Sequence, residues 1–472
     1  MADKKSMALM AHLMRRAGFG ASHDELEKAV VKGYAAMVEE LVDPGAHGLP
    51  PVDEIRMGRY HPEIVYPALP AQGASNFMYH MLHTQRPLEE KMTLFWHMIF
   101  ATGNSKVDNP TDMTTQIRMF RENGLGNYRE LLINLAKDPA MIFWLDNNMS
   151  HKDAPNENWG RELLELFSMG QGNYTEDDVK DVSRAFTGWT LIPRLPRFPY
   201  ARFTWGFEYR PQDHDNSEKS FLGHTGNLGG EDIIDIIVQE PATHRFVARH
   251  LYNFFVSDDV QVPSWNDVPP SDEKAVSAIA DQFVKSGFDI KDTVRFIFNS
   301  DFFKDEAVRF SRVKNPVEVV AGTTRLVGDF EIERAGLQAV AQECEYQGQE
   351  LINPPSVEGW HTGREWIDSG SLIRRVNFVA NKLGDSELPG VQSIIERLGK
   401  NSNVTPTELI DRCLDLLGYI ELGENTREEL IGHVAAAGDL NRGSTPTEQK
   451  AFAERVTEAL QLIAATREYQ FC

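Results

Sequence analysis

Apolar residues recur every three to four positions along most of this 472-residue chain. That spacing gathers them on one face of an α-helix. Sustained two-residue alternation is rare, so the pattern predicts an all-α, multi-helix fold. Helices are expected over 5–17, 34–42, 112–123, 126–137, 156–168 and 176–187, with a short one near 139–144. Ser22-His-Asp-Glu25 reads as a capping box opening a helix that stops near Lys32-Gly33. Pro87 suits the first turn of a helix running to about Ala101. Between Thr190 and Gly230 the texture changes, because Pro193, Pro196, Pro199 and Pro211 break any helix. There the aromatic and β-branched run Tyr200–Tyr209 reads as a hairpin strand, giving a small β excursion near 200–225. Helical spacing resumes over 231–239, 242–256, 271–286, 291–303, 315–327 and 335–347. After the loop Asn353–Gly363 it continues over 369–383, 388–398, 406–419, 426–436 and 446–468. The expected organisation is a helical core domain over 1–400 and a C-terminal helical subdomain over 401–472 packed on it.

Charge narrows the function classes. The chain carries 48 Lys and Arg against 70 Asp and Glu, a formal net charge of -22. Such a field repels nucleic acids and anionic lipid, so no nucleic-acid partner is expected. Cys344, Cys413 and Cys472 are far apart and form neither a zinc-binding spacing nor a disulfide framework. No apolar run reaches the roughly 18 residues that span a bilayer. With no signal-like leader before the first helix, a cytoplasmic location is expected, export requiring a leader since removed.

The densest chemistry lies in 156–168. At 100° per residue, Trp159, Leu163, Leu166 and Phe167 fall on one side. Glu157, Arg161 and Glu165 fall on the other, with Asn158 and Glu162 on the flank between them. Glu157 to Arg161 is a favourable i,i+4 pair. The same pattern describes a solvated face laced with ion pairs and a face of acid/base groups or metal ligands. The Glu-x-x-His pair of di-iron bundles is missing. Asp213-His214-Asp215 sets an imidazole between carboxylates, chemistry that suits a metal or a tuned general base. Adjacent residues of an extended chain point to opposite sides, so the three do not readily share one ion. His97 is a lone imidazole in the apolar helix segment Leu94–Phe100, where a core histidine and a ligand are both readable. The loop Pro354–His361 suits either a pocket wall or a device fixing the chain path. Walker, dinucleotide, HExxH and GxSxG patterns are all missing.

Several segments taken together carry a resemblance. They are His12–Gly20, Lys91–His97, Asp138–Met141, Leu145–Asn147, Ala154–Phe167, Ala185–Trp189, Lys314–Glu318, and Pro354-Pro355 with Gly359-Trp360. In this order the chain resembles a large bacterial family, the domain of unknown function eighteen-hundred. The resemblance implies a mainly helical protein with no assigned activity. It further implies a sulfatase-like partner protein, and for many members an export signal, which is not expected here unless a leader has been removed. Sharing the Glu-Asn-x-x-Arg-Glu-Leu-Leu-Glu motif with the family adds weight to a catalytic reading of that helix.

The leading expectation is therefore a metal-dependent enzyme, a hydrolase or an oxidoreductase. In it Glu157, Arg161, Glu162 and Glu165 are catalytic, and His97, Glu162, Glu165 and His214 hold a divalent metal. The alternative is a non-catalytic scaffold or partner protein whose Glu/Arg helix is a structural ion-pair network. A third reading is a helical module binding a small hydrophobic or cofactor ligand.

Overall fold

The computed structural model describes residues 3–195, 203–260, 265, 268–400 and 403–472. It is mainly α-helical, as the apolar spacing requires. The first helix, Lys4–Ala17, starts at the Asp3 cap and buries Met7, Met10, Leu13 and Ala17. Ser22 and Glu25 form the expected reciprocal capping box of His23–Lys32. Pro87 opens Pro87–Ile99, a helix buried on nearly every side.

Three features depart from the sequence reading. The helices Glu54–Tyr60, Pro62–Val65 and Pro70–His83 lie where none was expected. The stretch 291–303 is broken into Ile290–Asn299 and Asp301–Lys304, because Ser300 turns extended (ψ 155°) and caps Phe303 with its side chain. The last long helix ends at Ala464, and Arg467–Gln470 follows as a separate turn capped by Thr466.

The β excursion consists of two small antiparallel sheets. Strand β1 (Trp189–Arg194) pairs with β2 (Thr204–Tyr209), with Trp189 opposite Tyr209. Strand β3 (Lys219–Phe221) pairs with β4 (His224–Gly226). The strand expected from Tyr200 thus begins, among the described residues, at Thr204; Tyr200–Arg202 lie outside them. Its partner contains Pro193, which a two-stranded ribbon tolerates because one edge of each strand needs no ladder bond.

One continuous apolar core runs from Met7 to Tyr469. Val456, Leu460 and Ile463 of the C-terminal helices belong to it together with Leu13 and Phe77. Residues 470–472 lie antiparallel to 312–314, with Cys472 N–H donating to the Arg312 carbonyl at 2.8 Å. A small separate cluster joins Val313, Trp360 and Trp366 beneath the 353–363 loop. That loop presses on Pro87–Ile99 through Gly359. Its φ is +88°, and a Cβ there would lie 2.4 Å from the Met98 carbonyl oxygen.

Candidate active site

The Glu/Arg segment forms the helix Glu157–Glu165, capped by the Asn156 side chain. It packs on Glu176–Ala185 at close range. A Cβ on Gly160 would come within 2.6 Å of Ser183 Oγ, so glycine sets the helix separation here. The four charged residues then fall into three settings. Arg161 donates Nη1 and Nη2 to the two carboxylate oxygens of Glu176 at 2.8 and 2.7 Å, and Nη2 to Glu157 at 3.3 Å. These are part-exposed ion pairs. Glu165 instead accepts from the Tyr174 hydroxyl at 2.9 Å and from Gln171.

Glu162 is the exception on this helix. Its Oε2 is buried with no hydrogen-bond partner among the described residues. Burial, with Glu165 and Glu358 adding repulsion against the pull of Arg161, raises its carboxyl to about 7. A carboxyl half protonated near neutrality is what general acid–base catalysis uses.

One turn along the same face, Leu166 lines the larger of the cavities described below, as does Glu358. This cavity, of about 820 Å³, lies between Pro87–Ile99, Pro241–Phe255 and the loop 355–366. The size is that of a pocket for a small-molecule ligand. Its wall includes His250, Arg312, Asn315 and Trp360. Each has a buried nitrogen without a hydrogen-bond partner among the described residues: Nε2, Nε, Nδ2 and Nε1 respectively. Burial drives the His250 imidazole down to about 3, so it is neutral and keeps one N–H to donate. Unpaired donors of this kind are costly unless something accepts from them.

Beneath the cavity lies an ion centre that the sequence reading missed. Glu318 Oε1 accepts from both Lys91 Nζ and Arg312 Nη2. Its Oε2 accepts from the Asn315 backbone at 2.8 Å, closing the capping box of Pro316–Leu326. Lys91 also donates to the Gly18 carbonyl at 2.9 Å. Burial by itself would raise the Glu318 carboxyl, but Arg312 and Lys91 outweigh it and hold it well below the usual range. One signal was available: Lys91 sits between Leu88 and Phe95 on an apolar face, where a lone ammonium needs a buried partner.

The two histidines lie in other surroundings. His97 is fully buried, and neither ring nitrogen has a hydrogen-bond partner among the described residues. Burial takes it down to about 3, and it packs edge-on against Trp360 at 5.1 Å between centroids. His214 Nδ1 sits 2.8 Å from the Thr187 carbonyl. Its neighbours diverge: Asp213 pairs with His151 at 2.6 Å and Asp215 with Arg184 at 2.7 Å. Among the described residues no group of three or more His, Cys, Asp or Glu side chains is arranged to hold a metal ion. His97, Glu162, Glu165 and His214 form no such group among those residues. The 353–363 loop serves both expected roles, lining the cavity and anchoring through Trp360.

No helix of the described residues is long and apolar enough to cross a membrane. No curated protein and no solved structure matches the chain. A family model described as a protein of unknown function (DUF1800) matches residues 12–471. Nearly the whole chain is covered by that match, and the protein belongs to the DUF1800 family.

Proposed function

We propose that this protein is a hydrolase-type acid–base enzyme that takes an oxygen-rich substrate into the 820 Å³ cavity. The observation that carries this reading is Glu162, a part-buried carboxyl raised to about 7 with an unpartnered oxygen, one helical turn from Leu166 on the cavity wall. In its protonated form Glu162 gives its proton to a leaving oxygen as that bond breaks, water forms the new bond to the atom the oxygen leaves, and the proton the water sheds restores the Glu162 carboxyl. Glu165 keeps the proton on Glu162 by repulsion. Arg312, Asn315, His250 and Trp360 offer the donors that orient substrate oxygens. Glu157 and Arg161 act at a distance, fixing the helix against Glu176.

The test is a panel of chromogenic esters, glycosides, phosphate esters and sulfate esters, assayed with the parent protein and Glu162→Gln. Turnover of at least one class is expected, falling above pH of about 7 as Glu162 loses its proton. The variant should lose roughly 10²–10⁴-fold. Equal rates in the variant would overturn the proposal, as would an inert panel together with a Glu162 that titrates in the ordinary carboxylate range by carbon-13 NMR. A second reading, the scaffold that engages a sulfatase-like partner, draws on the Glu157–Arg161–Glu176 network. It is favoured if Arg161→Ala abolishes capture of such a partner while Glu162→Gln does not.

A further inference from the structure

A second, smaller cavity of about 270 Å³ lies away from Glu162, where the loop after the first helix meets Pro316–Leu326 and the segments around 418 and 468. Three of the charged side chains on its wall are Arg15, Lys314 and Glu468. Arg15 spends Nη1 on the carbonyls of Gly418 and Tyr419, both at 3.2 Å, and lays its guanidinium on the Phe310 ring at 4.6 Å. Nε and Nη2, the edge that grips a carboxylate with two parallel hydrogen bonds, are buried and have no partner among the described residues. Lys314 donates to the Tyr469 carbonyl at 2.7 Å and stands over the Tyr469 ring. Burial lowers Arg15 to about 10 and Lys314 to about 7, against the opposing pull of Cys472 on both, of Glu421 on Arg15 and of Glu318 on Lys314. Glu468 uses Oε1 to accept from Gly423 at 3.3 Å, while its Oε2 is buried without a partner among the described residues. Phe19, Phe330, Leu417 and Ile420 supply apolar wall.

A cavity whose wall carries an unfilled carboxylate fork, an unfilled carboxylate acceptor and apolar side chains fits a small zwitterion. We propose that it binds a small zwitterion of the α-amino-acid class with an apolar side chain. The ligand carboxylate takes the Arg15 edge, with Lys314 as the second cation. Its ammonium takes Glu468 Oε2, and its side chain lies against Phe19, Phe330 and Leu417. The volume sits just below the roughly 300–1,000 Å³ of drug-sized pockets, which selects a compact ligand. Because the wall joins residues near 20, 320, 420 and 468, the bound ligand ties the C-terminal helices to the N-terminal ones. This site is independent of the Glu162 proposal.

The experiment is titration calorimetry and thermal unfolding of the full chain with L-leucine and L-phenylalanine at millimolar concentration. Controls are 4-methylpentanoate, which lacks the amino group, and 3-methylbutylamine, which lacks the carboxylate. At least one of the amino acids should bind with unit stoichiometry and raise the unfolding temperature. Both controls should bind at least about tenfold more weakly. Glu468→Gln, which keeps an acceptor for Gly423, should weaken the amino acid by about tenfold or more and leave 4-methylpentanoate unchanged. Arg15→Lys should weaken both, with circular dichroism confirming that it folds. The proposal is overturned by a lack of saturable binding of either amino acid, by 4-methylpentanoate binding as well as leucine, or by binding that Glu468→Gln leaves unaltered.

Discussion

A carboxyl group records its surroundings in its affinity for a proton, and Glu162 and Glu318 stand at opposite extremes of that record. Glu162 is shielded from water beside other acids and keeps its proton toward neutrality. Glu318 is buried more deeply, yet two cations on one oxygen keep it ionised. Since its folded affinity lies below the ordinary 4.5, Glu318 contributes stability that is fully present above that value and is lost as pH falls below it. Glu318→Gln leaves Lys91 and Arg312 without their counter-charge. At neutral pH the substitution should cost about 3–5 kcal/mol, the range found when one partner of a buried pair is removed. Urea unfolding should show this difference shrinking in acid, and a pH-independent difference would show that the charge is not what matters. The sequence exposed these two residues unequally. Glu162 stands in a conspicuous acidic motif, whereas Glu318 looks like an ordinary capping residue until Lys91 is seen across 227 positions.

At the scale of elements, the sequence is most legible where a helix has one apolar face and a side-chain cap. His23–Lys32, Glu176–Ala185 and Pro446–Ala464 all start at a reciprocal capping box and were expected within a few residues. The helix Pro70–His83 escaped because it is buried nearly all round, including Gly73, Ser75, Asn76 and His80. A helix without a solvent face has no stripe for periodicity to detect. The β1–β2 ribbon was half legible, since its partner strand carries a proline and its register depends on contacts outside the ribbon. Two such contacts are in place. Asp112 accepts from the Trp205 backbone at 3.3 Å, and Asn109 donates to the Phe203 carbonyl at 2.7 Å. Asp112→Ala removes the first and weakens the second, because Asn109 also bonds Asp112. Hydrogen exchange at the Trp205 amide should then quicken while amides of Pro110–Asn123 stay protected. Unchanged exchange at Trp205 would show that the ribbon is held by its own ladder alone.

The whole molecule bears on the expected division at residue 400. The helices Ser369–Gly384 and Pro446–Ala464 pack together across it. Arg375 donates Nε to Gln470 at 3.1 Å and Nη2 to the Lys314 carbonyl at 2.7 Å, so one buried side chain joins both sides. We expect residues 1–400 expressed alone to lose cooperative unfolding and to be cut rapidly by protease near Arg312 and Lys314. A sharp, reversible melt of that fragment would establish an independent core domain. Boundaries of this kind are hard to read from sequence because both sides show the same helical spacing, and only the contacts across them reveal a shared core.

Those contacts also carry a consequence in time. Lys91 precedes Glu318 by 227 residues, and Arg15 precedes the Gly418 carbonyl by 403. At synthesis rates of about 5–20 residues per second, Lys91 waits roughly 10–45 s for its counter-charge. Throughout that interval burying its ammonium is unfavourable, so the N-terminal helices cannot close their core as they emerge. The ion centre therefore acts as a delay, keeping the first third of the chain open until the segment that neutralises it has been made.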